Sequence, residues 1–494
     1  MSFYGLEIAK TGLAISQKGI NLSGHNIANA DTAGYTRQRL YLSSIDPGSL
    51  VARYVPIYKG AVGKGVEVQA VEQLRNAYVD RAFRAETSSL NQWETRASEM
   101  EYIESLFNET KTASLSNSLA DFFDSMQELS KDTVSKEIRT NVQQTAITLT
   151  QTMSHYYKQL SDLQKQMNDS IEVAVDRINE ITKSIADFNL SIATFELSGE
   201  RANDLNDKRN LLLDELATIT DMEYTTDSQG RLSVMIDGNT VVDHGKSYDL
   251  KVMKDSNGMN SVHMDNAAET EVVYSNGQLA GFRQLRDGNT PNDIGIPFLM
   301  ESLNTLARTL AKQFNDTHKQ GWTMPHDAET SQTNVYFFEV DVVGGVEDYN
   351  AITAGNISLS DAVLGDVYKI AASSKQIDLS SADPQDKNNE NALKLAGLGT
   401  SSATMGNTGF EGYLKNLVVE LGVGSAHTSN MFDSQQALVS NLQGRRDSVS
   451  GVSVDEEMVQ LMKYQHMYNA SSRVNNAIDE ALDKLINGTG IVGR

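Results

Sequence analysis

"SGHNIANADTAGYTRQRL", residues 23–40, holds few large apolar side chains and is crowded with Asn, Ala and Gly. What flanks it sets the architecture. Before it, residues 5–31 carry a seven-residue repeat. Gly5-Leu6, Gly12-Leu13, Gly19-Ile20 and Asn26-Ile27 recur at one phase, and Ile8, Ile15 and Leu22 form a second series two residues later. Two residues along a helix are about 200° of rotation. Leu6, Ala9, Leu13, Ile20 and Ile27 are therefore expected on one face, and Ile8, Ile15 and Leu22, with the glycines, nearly opposite. An ordinary surface helix has one apolar stripe, whereas two opposed stripes need partners on both sides. Glycines cost a helix about 1 kcal/mol each, and they permit close backbone approach. A helix buried inside one large domain fits the same periodicity.

The repeat stops at the quoted stretch. Asn29 and Asp31 suit a helix end, and Gly34 can supply a positive φ. Tyr35, Arg37, Arg39 and Tyr41 then alternate with Thr36, Gln38, Leu40 and Leu42, an extended pattern. The other end of the chain closes on a second amphipathic helix. Met458, Leu461, Tyr464, Tyr468, Ser471, Val474, Ile478, Leu482 and Leu485 step by three and four, behind the cap-like "SVDEE" of 453–457. Neither end is expected to bury all its apolar surface alone, so order there should come with assembly.

Between the ends, no proline occurs from Pro56 to Pro291, in a tract rich in Gln, Leu, Ala, Glu and Lys. That composition favours long helices. "GKGVEVQAVEQL" (63–74) reads as a short strand entering a helix that extends to about Phe107. "LADFFDSMQELSKD" (119–132) is a helix and its exit. Residues 135–195 form one very long helix or two in line, and 202–217 another. Residues 222–290 change character, with short alternating runs and turn signals at "DGN" (237–239) and "SNG" (275–277), both read as hairpins. Helix resumes at 298–318, "TGFEGYLKNLVVEL" and "SNMFDSQQALVSNLQGRRD" form two more, and 335–384 is mixed. The expected fold class is mainly α with an inserted β-rich outer domain, hence α+β and multidomain.

The 494 residues carry a net charge of −23, which repels nucleic acid and anionic membranes. There are no cysteines, which excludes disulfides, thiol catalysis and Cys-based zinc sites. No run has the length of a membrane span, and the N-terminus lacks the pattern of a cleavable signal. Eight scattered histidines form no H-E-x-x-H, and neither a P-loop nor G-x-S-x-G is present. His244 and His263 with Asp243 and Asp249 read as loop residues rather than metal ligands. Glu456-Glu457 and Asp479-Glu480 read as solvated helix faces. No catalytic residue, cofactor or metal is expected.

"HNIANADTAGYTRQRL" resembles the N-terminal motif of bacterial flagellar axial proteins, matched at Asn26, Ile27, Ala28, Asn29, Thr32, Gly34 and Tyr35. His25 stands where Asn is usual, and Ala33 where many relatives have Pro. "GVSVDEEMVQLMKYQHMYNASSRV" resembles the matching C-terminal motif. Rod, hook and hook-associated proteins share these ends. "RQRL", "DFFDSMQEL", "ANDLNDKRNLLLDEL", "NVYFF", "SGVSVDEE" and "LAKQFNDTHKQGW" are similar to the hook-associated proteins of the hook–filament junction. In the last, Leu310, Phe314, Asn315, His318 and Gly321 fall in place, and Trp322 departs from a common Asp.

The resemblance implies a radial architecture. Residues 1–45 and 455–494 would form an inner coiled-coil domain of terminal helices. Residues 46–221, 294–335 and 385–454 would form a long-helix middle domain, 222–293 a β-rich outer domain, and 336–384 a small mixed insertion with the third outer domain reduced or absent. It implies a structural protein that self-associates in a ring, with hook protein below and hook-associated protein 3 above. It also implies an export chaperone on the C-terminal helix and secretion to the flagellum by the flagellar type III system. The subunit contacts would use Leu6, Ile8, Gly12, Leu13, Ile15, Gly19, Ile20, Leu22, Asn26, Ile27, Asn29, Gly34 and Tyr35. Met458, Leu461, Tyr464, Tyr468, Val474, Ile478, Leu482 and Leu485 would complete them. The alternatives are another axial protein (hook-associated protein 3 or hook protein) and a type III-secreted effector or adhesin with an active outer domain.

Overall fold

The computed structural model describes residues 4–45, 63–107, 114–227, 230–291, 293–326, 329–401, 405 and 408–488. The outermost residues of the expected inner domain, 1–3 and 489–494, and 46–62 of the expected middle domain lie outside that set. Helix α1 (Tyr4–Ala28) leads to an antiparallel hairpin of β1 (Gln38–Ser44) and β2 (Val66–Gln73), with a bulge between Tyr41 and Leu42. Four helices follow: α2 (Ala77–Phe107), α3 (Leu115–Lys131), α4 (Lys136–Glu196) and α5 (Asn203–Ile219). The Ser114 and Ser135 hydroxyls accept the backbone N–H of Asn117 and Ile138, which fixes the starts of α3 and α4. Proline-free α4 is a single helix of 61 residues, about 92 Å long.

The β-rich stretch begins with a four-stranded sheet in sequence order, β3 (Glu223–Thr226), β4 (Leu232–Ile236), β5 (Asn239–Asp243) and β6 (Lys246–Ser247). A separate hairpin of β7 (Leu250–Lys254) and β8 (Asn260–Met264) follows. The turn at Asp237-Gly238 has φ of 49° and 69°, the paired positive values of a two-residue hairpin turn. "SNG" is not a second hairpin. Gly277, at φ 88°, caps α6 (Gln278–Asp287) instead. A Cβ there would meet the Ile219 carbonyl at 2.4 Å, so the turn is the place where two backbones pass closely.

The chain continues through the small pair β9 (Asn289–Thr290) and β10 (Asp293–Ile294), then α7 (Ile296–His318). Hairpin β11 (Asp341–Val343) and β12 (Val346–Asp348) precedes the short α8 (Asp361–Gly365) and α9 (Glu390–Thr400). The two helices read within 408–447 are one, α10 (Gly409–Ser450), and α11 (Val454–Gly488) ends the described chain.

Two apolar clusters organise the molecule. The first joins the end of α2, α3, the first half of α4, α7, α9 and the start of α10 around Phe122, Phe314, Phe337 and Phe338. Residues of 336–384 belong to it: Phe337, Phe338, Ile357, Leu359 and Ile370 are buried there, so this stretch is built into the helical core. Asn315 pins it, accepting the N–H of Phe337 and Phe338 at 2.9 Å each and donating to the Phe338 carbonyl at 2.9 Å. The second cluster joins Ile171–Ile185 of α4 to Leu213, Leu216 and Ile219 of α5, the strands, and Leu279 of α6.

Candidate assembly interface

The terminal helices pair antiparallel. A Cβ on Gly5 would meet Ile478, one on Gly12 would meet the Ser471 hydroxyl at 2.7 Å, and one on Gly19 would meet the Tyr464 ring at 2.5 Å. Gly5, Ala9, Gly12, Ser16, Gly19, Ser23 and Asn26 alternate at four and three residues, so a stripe of small groups faces α11. The sequence reading grouped the glycines with Ile8, Ile15 and Leu22 on the face opposite Leu6. In the structure the glycines form their own seam within the chain, and the two large apolar series flank it. Leu6, Leu13, Ile20 and Ile27 are half-buried on one flank. On the other, Ile8 and Leu22 are half-buried and Ile15 is buried. There the hairpin closes in, and a Cβ on Gly65 would lie 2.3 Å from Thr11 Oγ1.

On α11 the structure brings Tyr464 and Ile478 onto the glycine seam, with Leu461 and Leu482 half-buried. Met458, Tyr468, Val474 and Leu485 stay exposed. So do Val454, Val459, Met462, Met467 and Ile486, which the three-and-four spacing passed over. Their signal was present as apolar residues outside the single stripe. Together they leave large apolar side chains exposed on the terminal helix pair.

The polar stretch after α1 is a built corner. Asn26, 1 % exposed, donates to the Gln38 carbonyl at 3.0 Å and accepts the Gln38 N–H at 3.1 Å and the Tyr35 hydroxyl at 2.7 Å. Burial, then Asp204, Asp207 and Glu457, hold the Tyr35 phenol above its ordinary pKa. Asn29 donates to the His25 carbonyl at 3.0 Å and accepts the Thr32 hydroxyl, closing the helix end. Gly34, at φ 77°, sits against Leu211 of α5.

Helix α5 receives this corner. Asp207 accepts the Thr36 N–H at 3.1 Å, Asp204 accepts Gln38 Nε2 at 3.0 Å, and Asn203 bonds Gln38 and the Val71 carbonyl. Burial raises the Asp207 carboxyl pKa. Arg37 reaches α11, with Nε 2.8 Å from Glu457 Oε1 and Nη1 2.7 Å from Glu456 Oε2. Glu457 is thus not on a solvated face: its side chain is 4 % exposed. Sequence reading had the segment 203–214 and Glu456-Glu457 in view but missed that both meet residues 36–38, because nothing local encodes a contact across about 170 or 420 residues. His244 lies between Asp243 and Asp227, and His263 bonds Ser261 and the Glu269 carbonyl. Among the described residues no cluster of three metal-ligating side chains occurs, and no helix is long and apolar enough to cross a membrane.

Residues 100–335 match the family described as the flagellar hook-associated protein FlgK helical domain. Residues 444–488 match the flagellar basal body rod FlgEFG protein C-terminal family. The chain is 29 % identical to flagellar hook-associated protein 1 of Bacillus subtilis (strain 168), over 100 % of this chain and 99 % of that protein. It is 24 % identical to the protein of the same name from Escherichia coli (strain K12), over 97 % and 98 %. The fold is similar to the flagellar hook junction protein FlgK from Burkholderia pseudomallei, with a TM-score of 0.59 and 16 % identity over 75 % of this chain and 100 % of that one. The helical-domain match, the C-terminal match and the likeness over the full length of its relatives together support flagellar hook-associated protein 1 as what this chain resembles.

Proposed function

We propose that this protein is a structural axial component of the bacterial flagellum that forms the junction between hook and filament, polymerising through its terminal helices. The observation that carries the reading is the inner helix pair: a seam of small residues joins α1 to α11, and the pair's outer surface keeps large apolar side chains exposed. Likeness to hook-associated protein 1 along the whole chain disfavours the hook protein, hook-associated protein 3 and a secreted effector. The role is architectural, with no catalytic step. In this reading residues 1–45 and 455–494 line the inner layer, the long helices surround them, and 222–293 face outward. The subunit contacts are the exposed and flanking residues of α1 and α11 named above. Copies close into a ring between hook protein and hook-associated protein 3, after type III export with a chaperone on α11.

The test is a strain lacking this gene. It should build hooks without filaments and release monomeric flagellin, and the intact gene should restore filaments. Filaments of normal number on the deletion strain would refute the junction role.

A further inference from the structure

We propose that a buried chain of six alternating charges is the joint that sets the angle between the inner helix pair and the rest of the molecule. It runs Asp207–Arg75–Asp80–Arg446–Asp214–Arg84. Arg75 lies 3.7 Å from Asp207 and 3.1 Å from Asp80. Arg446 lies 3.2 Å from Asp80 and 2.6 Å from Asp214, and Arg84 lies 2.7 Å from Asp214. No side chain of the six is more than 17 % exposed. The chain is neutral in sum, and it ties together α5, the turn before α2, α2 itself and the end of α10.

Several crossings between the terminal-helix corner and the rest of the molecule start beside it, while Asn203 and Asp204 hold Gln38 one turn away along α5. The Thr36 N–H donates to Asp207 at its near end, Arg37 N–H donates to the Ser450 carbonyl, and the Leu74 N–H donates to the Arg37 carbonyl. No apolar core competes with it. The buried residues of α2 before Met100 are Asp80, Arg84, Thr87, Ser88 and Gln92, and those of α10 beyond Leu421 are Thr428 and Gln435. From Asp80 to Met100 is about 30 Å of helix whose fully buried side chains are polar, with the half-buried Phe83 ring under Arg446 and the Trp93 ring against His427. The phenylalanine-centred cluster lies elsewhere, and the second meets the charges only at their far end, where Leu213 and Leu216 flank Asp214 and Arg84 lies over Tyr224.

A buried ion pair loses its stability when one partner is removed, because the other charge stays desolvated. It also holds one geometry, since Arg446 must present Nε to one carboxylate and Nη2 to another. Breaking this chain therefore frees the angle of the inner pair while leaving both apolar clusters folded.

The full chain has no cysteine, so Lys463→Cys and Glu172→Cys, both exposed, give unique spin-label sites on α11 and α4. Two variants are compared with this labelled parent. Asp80→Asn with Asp214→Asn strips Arg446 of both carboxylates, and Arg446→Lys keeps the charge but cannot span them. Expected is a narrow distance distribution in the parent, widening roughly twofold in both variants. Amide protection over residues 77–92 should fall by roughly two orders of magnitude, with the melting of the helical core unchanged. A distribution as narrow in the variants as in the parent, or a broad one in the parent, would overturn the joint. So would loss of the core melting transition in either variant, since the charges would then hold the body rather than the angle.

Discussion

Single side chains decide this fold where backbone would otherwise be stranded in the interior. Asn26 and Asn315 each serve a carbonyl and backbone N–H groups, and each stands inside a stretch that sequence alone marked as family-like. His318 does related work: Nδ1 donates to the Val335 carbonyl at 2.8 Å, and Nε2 accepts the Ala371 N–H at 2.8 Å. That tautomer is neutral, and burial, with a smaller push from Arg139, lowers the pKa to about 4. The unfolded chain takes up a proton near pH 6.5, and the folded chain only near pH 4. Stability contributed by neutral His318 is therefore complete above pH 6.5 and falls as the pH drops toward 4, by about 3 kcal/mol in all. Thermal melts at pH 7, 5.5 and 4.5 should show His318→Gln less stable than wild type at pH 7, with the gap closing on acidification. A gap independent of pH would mean that His318 is not buried in its neutral form.

At the scale of elements, the long helices were legible because hydrophobic period and the absence of proline act locally. The end of α1 before Gly34 follows directly, and α4 is one helix where the period allows either one or two in line. The faces of α1 were half legible. Periodicity places residues at angles but does not say which neighbour occupies each angle, so the glycines are grouped with Ile8, Ile15 and Leu22 when they form a separate seam against Tyr464 and Ser471. Helix α6 was missed because "SNG" carries the same φ-positive signal for a helix entry as for a hairpin. The seam predicts a specific failure. Gly12→Leu with Gly19→Leu cannot approach α11 without displacing it, yet neither residue touches the apolar clusters. Melting of the helical core should stay within about 0.5 kcal/mol of wild type, while filament attachment is lost. Normal filaments on cells that secrete the double variant would rule out the seam as an assembly requirement.

The whole molecule has two cores strung on one rod. The second depends on the β-rich module: Ile178, Ile181 and Ile185 of α4 are at most 1 % exposed beneath it. The module's ends touch, since the Ser275 N–H donates to Asp221 Oδ1 at 3.3 Å. Replacing residues 222–274 by a short Gly/Ser bridge thus keeps α6 and adds little closure entropy, but it bares that row of isoleucines. Calorimetry should show the transition of the phenylalanine-centred core retained and amide protection over 171–219 lost. A single intact transition with protected 171–219 would mean that α4 and α5 are stable without the sheet. The rod itself has a mechanical consequence. With both cores gripping α4 along its length, a tilt of one degree at Lys136 carries Glu196, some 92 Å away, through about 1.6 Å. A rotation too slight to disturb any contact around Phe122 therefore arrives beside the hairpin as a displacement of half a hydrogen-bond length. Helix α4 is thus a lever, with its fulcrum in the phenylalanines and the end of its long arm beside the β1–β2 hairpin.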